Sequence, residues 1–183
     1  MDSLPLTHEK RARIESAYAD LRDRLLILAA ALTADWAAAE DVVHDAFATI
    51  VREHWRLQNG FNLEGFLTVC VRNRAMNVLR SETLRKRAQP HSGFLIDPKA
   101  SDPGARTVAQ EERAMLLDAV RKLSPENREI LSLRIWGGLS FEEISQLQEI
   151  AKSSAHDRYR QALSEVRIAL QEVQGGRNER LEP

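Results

Sequence analysis

LSPENREILSLRIWGGLSFEEISQLQEIAKSSAHDRYRQALSEVR, running from Leu123 to Arg167, is the stretch whose reading decides the fold. Ser124-Pro125 opens a helix, with serine as the cap and proline at the first helical position. Gly137-Gly138 closes it. Ser140 and Glu143 form a capping box for a short helix reaching about Leu147. A turn leads into a last helix from about Lys152 to Val173, which Gly175-Gly176 is expected to stop. This order is the grammar of a helix-turn-helix, whose second helix enters the DNA major groove. On the last helix Ala155, Tyr159, Ala162, Val166 and Ala169 or Leu170 face inward. Lys152, Ser153, His156, Asp157 and Arg160 are left outside, where cations and hydroxyls meet phosphates and base edges.

Working outward, the 183-residue chain is long enough for one ordinary domain or two small ones. Hydrophobic residues make up 43%, charged residues 29% and aromatic residues 5%. With long alternating β-branched runs absent, the expectation is all-α. Thr7 caps a first helix to about Leu32, carrying Ile14, Ala17, Tyr18, Leu21, Leu25 and Leu28 at helical spacing. Thr33 or Asp35 caps a second, to about Trp55, with a stripe of Val42, Val43, Ala46, Phe47, Ile50 and Val51. Asn62 caps a third, to about Arg87, turning Leu63, Phe66, Leu67, Cys70, Val71, Ala75 and Val78 inward. Residues 88–106 hold three of the six prolines and read as a linker. The expected domains are thus 1–87 and 107–176, with a loose tail at 177–183.

The net charge of −1 excludes a whole-chain basic footprint for nucleic acid, but the distribution is uneven. Asp35 to Glu53 holds five acids against one base; Arg72 to Arg87 holds six bases against one acid. Such asymmetry suits two partners of opposite charge. Asn73, Asn77 and Arg80 share one side of the basic helix, where amides and guanidinium groups meet bases and phosphates. Glu40 and His44 are the only carboxylate–histidine pair at i, i+4 in the acidic helix, so a docking face suits it better than a metal site. Cys70, the single cysteine, rules out an intrachain disulfide and reads as a small core residue. No nucleophile elbow, phosphate-cradling glycine loop or dinucleotide fingerprint is present, so neither an enzyme nor a cofactor is expected. The absence of a long apolar run predicts no membrane insertion and a cytoplasmic location.

Three motifs together resemble a known family. AEDVVHDAF (Ala39–Phe47), FLTVCVRNRAMNVLR (Phe66–Arg80) and LSPENREILSLRIWGGLSFEEIS (Leu123–Ser145) are similar, in order and spacing, to the motifs of bacterial extracytoplasmic-function (ECF) RNA polymerase sigma factors. The resemblance implies a region 2-like helical bundle and a region 4-like helix-turn-helix on a flexible linker. It implies RNA polymerase core enzyme and promoter DNA as partners, and an inhibitory anti-sigma factor, common in the family, as a candidate third. Glu40, Asp41, His44, Asp45 and Phe47 occupy its polymerase-docking positions. Asn59, Phe61, Asn62, Phe66, Arg72, Asn73, Asn77 and Arg80 fall where the melted −10 element is handled. Lys152, Ser153, Ser154, His156, Arg158 and Arg160 fall where the −35 element is read. His44, Phe66 and Asn77 depart from the usual glutamine, tryptophan and aspartate. Glu149 stands where glycine is common, which predicts strain at a left-handed turn, and Ala151 removes a helix cap. The alternative is a stand-alone helix-turn-helix regulator that does not dock on polymerase.

Overall fold

The computed structural model describes residues 6–88 and 108–178. Among them are seven α-helices, one 3-10 turn and no strand. Helix α1 (His8–Thr33) starts on Thr7, whose hydroxyl accepts from the Lys10 amide. Helix α2 (Trp36–Arg52) starts on Asp35, which accepts from the Ala37 and Ala38 amides. The 3-10 turn His54–Arg56 follows, where the sequence reading continues the helix to Trp55. Helix α3 (Leu63–Ala88) starts on Asn62, whose Oδ1 accepts from the Gly65 amide at 2.9 Å.

The second unit contains α4 (Val108–Arg121), α5 (Pro125–Ile135), α6 (Phe141–Gln148) and α7 (Lys152–Asn178). Ser124 caps α5, and the Ser140–Glu143 box caps α6 reciprocally. The hydrogen bonds donated by Ser140 hold the Glu143 carboxyl below its usual range. Helix α7 continues through Gly175-Gly176 to Asn178, past the stop expected from the sequence. Apart from Ala88, the linker reading of 88–106 lies outside the described residues, as does the tail from 179 onward.

Two glycine-type positions shape the helix-turn-helix. Gly137 is required because a Cβ there would meet the Leu133 backbone and lie 3.0 Å from the Thr68 methyl group. Glu149 occupies the left-handed region at φ +55°. That conformation costs an L-residue roughly 1–2 kcal/mol. Glu149→Gly is therefore expected to raise stability by about 1 kcal/mol after the added freedom of the unfolded chain is subtracted. Urea denaturation checks this, and an unchanged or lower midpoint would contradict the strain argument.

The two units close onto one another, and α1 is the spine they share. Leu25, Leu28 and the run Ala29-Ala30-Ala31-Leu32 are all essentially inaccessible. A helix segment apolar on every side is buried on every side. One face of α1 packs with Val42, Ala46, Ile50, Leu67 and Val71 of α2 and α3. Ala31 and Ile27 belong instead to the cluster of Leu117, Val120, Leu131, Ala162 and Val166. Leu133, Leu139, Ile144 and Ala155 of the second unit join the first unit's core.

Tyr18 and Val51, which the apolar stripes place inward, are instead exposed over somewhat less than half their surface. Tyr18 lies edge-on to Phe47 at 5.0 Å between ring centroids. Cys70 is half-buried, and desolvation pushes its thiol pKa up, which disfavours the reactive thiolate. Among the described residues no helix is long and apolar enough to cross a membrane. No group of three or more histidine, cysteine or acidic side chains is placed there to hold a metal.

Candidate nucleic-acid and protein interfaces

Helix α2 presents its acids because its apolar residues recur on the opposite face. Glu40, Asp41 and His44 are exposed, and the two acids have no ion-pair partner among the described residues. Asp45 differs: Arg74 of α3 donates to its Oδ2 at 3.0 Å and to Thr49 Oγ1 at 2.7 Å. Phe47 is buried against Tyr18, so it supports the acidic face from beneath and has no surface to offer a partner. Val51, 44% exposed at the C-terminal end of α2, and Trp55, 52% exposed in the 3-10 turn that follows, add apolar area. The stripe pattern hid Val51. Trp55 was missed because it read as a helix end rather than as part of a 3-10 turn.

The loop before α3 is a built feature. The Phe61 amide donates to the Gln58 carbonyl at 3.1 Å, and Gly60 has φ +83°. Those values define a type II turn with Gly60 at its third position. Asn59 is at the exposed apex, while Asn62 is engaged in capping α3. Phe61 and Phe66 lie 5.5 Å apart between centroids, with the Arg56 guanidinium 5.8 Å over the Phe66 ring. Asn73, Asn77 and Arg80 are exposed further along α3.

Arg72 does not share that freedom. Its Nε donates to Glu129 Oε1 of α5 at 2.5 Å, and only a tenth of the Glu129 side chain remains exposed. Next to this pair, Thr68 Oγ1 donates to the Gly137 carbonyl at 3.2 Å. These contacts join the α3 surface to α5 and the turn that follows it.

On α7, Lys152, Ser153, His156 and Arg160 lie on the open face, and Ser154 is half-buried. Lys152 Nζ is 3.3 Å from Glu142 Oε2 across the turn. His156 lies edge-on to Phe141 at 5.1 Å between ring centroids, and the Arg134 guanidinium sits 5.1 Å over the Phe141 ring. Arg158 is two residues from both His156 and Arg160, about 200° around the helix from each. It lines a cleft with Arg72, Glu126, Glu129 and Glu149 and is absent from the open face.

Comparison with known proteins identifies the family. Residues 17–85 match the family described as "Sigma-70 region 2", and residues 113–166 match "Sigma-70, region 4". The chain is 27% identical over 164 residues to RNA polymerase sigma factor CarQ of Myxococcus xanthus, covering 87% of this chain and 90% of that protein. It is 29% identical over 150 residues to the probable RNA polymerase sigma factor RfaY of Xanthomonas campestris pv. campestris, covering 78% of this chain but 36% of that longer protein. In fold it is similar to the sigma factor RpoE of Bartonella quintana, solved in complex with the anti-sigma factor NepR. That likeness has a TM-score of 0.69 at 20% identity, over 87% of this chain and 97% of that one. A stand-alone regulator is not favoured, because the region 2 match takes in the acidic helix and the basic helix together. Carrying region 2 followed by region 4, the chain belongs to the sigma-70 family and is an RNA polymerase sigma factor of the ECF type, which binds core enzyme and directs promoter recognition.

Proposed function

We propose that the three surfaces divide the work of initiation between them. The exposed acids Glu40 and Asp41, with His44, Val51 and Trp55, dock on polymerase; Asp45 orders the seam behind them. The turn at 58–61, the Phe61–Phe66 pair and Arg72, Asn73, Asn77 and Arg80 handle the melted −10 strand. Lys152, Ser153, His156 and Arg160 contact the −35 duplex, with Ser154 at the edge and Arg158 joining once the cleft opens. The observation that carries this reading is the exposed pair Glu40 and Asp41 on α2, which no base among the described residues neutralises. The protein acts in the cytoplasm, where polymerase is, and performs no chemistry of its own.

An anti-sigma factor is a fitting regulator. The chain is similar in fold to a sigma factor solved with such a partner, and the exposed acidic face of α2 is accessible to one. The test is reconstitution: purified chain plus core polymerase, pull-down, then run-off transcription from genomic fragments. Association with promoter-dependent transcripts is expected. Absence of association would refute the docking surface. Association without transcripts would refute the two DNA surfaces.

A further inference from the structure

We propose that Arg13, in the second turn of α1, is a positioning residue that holds the −10-reading turn in shape. This rests on the reading that the loop before α3 handles the −10 strand. Arg13 Nη2 donates to the Phe61 carbonyl at 2.6 Å and Nη1 to the Gln58 carbonyl at 3.3 Å. Gln58 and Phe61 are the first and last residues of the type II turn, so one guanidinium bridges both ends. The bridge is made across 45 and 48 residues of sequence, from a helix that carries none of the family motifs described above.

The geometry explains why the turn needs it. Gly60 has open space around it: a Cβ there would meet nothing within 4 Å. Its backbone is free to leave the left-handed region, because glycine populates both signs of φ almost equally. The turn's own restraint is a single amide hydrogen bond. Arg13 adds two charge-assisted bonds, which are stronger than neutral ones. Below the apex, Phe61 rests on Phe66. With both ends fixed, the exposed Asn59 at the apex is held by a turn of constant shape, suited to hydrogen-bonding a base edge. A lysine is a poorer substitute, since its ammonium lacks the planar fork that meets both carbonyls in one fixed geometry.

The experiment uses the full chain in holoenzyme and a duplex promoter library randomised across the −10 segment. Wild type, Asn59→Ala, Arg13→Ala and Arg13→Lys are compared for the bases they select, with core affinity and melting temperature measured alongside. Asn59→Ala is expected to lose base preference at one position by about tenfold, and Arg13→Ala to lose preference at the same position. Arg13→Lys should not restore it, and core affinity should stay within about twofold throughout. Retained preference in Arg13→Ala, with Asn59→Ala defective, would overturn the positioning role alone. Unchanged selection in Asn59→Ala, and in Phe61→Ala as a second loop variant, would overturn the −10 reading beneath it. A merely structural role would lower melting temperature without changing which bases are chosen.

Discussion

Asp41→Arg is expected to weaken binding to core polymerase by roughly 30-fold, about 2 kcal/mol, with the fold intact. Asp41 is exposed and unpaired, so reversing its charge removes no internal contact. A like charge set against a basic partner surface raises the cost of docking and slows encounter. The loss should shrink as salt is raised, since exposed charges are screened over about 8 Å at physiological ionic strength. Competition binding against unlabelled wild type measures it. Asp45→Arg is the poorer test, although the family pattern points to it equally. It would place two guanidinium groups together where Arg74 now bridges α2 and α3. Affinity lost there would mix docking with fold. If Asp41→Arg binds core as tightly as wild type, α2 is not the docking face.

Glu129→Gln is expected to open the molecule. The names of the promoter elements put them about 25 base pairs apart, roughly 85 Å of duplex at ~3.4 Å per pair. In the closed arrangement Arg72 of α3 and Arg158 of α7 line a single cleft. If the surfaces read the two elements as proposed, both cannot be reached in that state, and the units separate on the promoter. Glu129 meanwhile holds Arg72 with a carboxylate, which competes with a phosphate if Arg72 meets the −10 strand as proposed. Removing one charge of a largely buried pair typically costs about 3 kcal/mol or more. Here the loss falls on the closed state, and it corresponds to roughly a 100-fold shift toward open. Small-angle scattering should show a larger radius of gyration, and dyes at residues 23 and 164 should move apart. Far-ultraviolet circular dichroism should stay near wild type, which separates opening from unfolding. Unchanged distances with unchanged helicity would mean that the apolar contacts of α1, rather than the ion pair, hold the units together.

Much of this protein is legible in its sequence because the signals are local. Caps at Thr7, Asp35, Asn62, Ser124 and Ser140 announce helix starts, since each satisfies an orphan amide within three residues of itself. The apolar stripe of α2 marks which acids face out. The errors are also local: Val51 lies at the edge of its stripe, and glycines alone did not stop α7. Glu149 shows a rule of composition overridden, a left-handed turn kept without glycine.

By itself, then, the sequence determined the helices, the helix-turn-helix and the family, all written in spacings of three to seven residues and in motif order. Only the tertiary structure decided that the two units close, that Arg72 meets Glu129, that Asp45 belongs to Arg74 and that Arg13 clamps the turn at 58–61. Those pairings join residues 29 to 57 positions apart, and no helical period encodes them. One trace was present all along in LLILAAAL, Leu25 to Leu32, apolar around every side of α1. A stripe has one face to bury against one neighbour. A helix segment without a polar side must be covered from several directions, and the second unit supplies the cover.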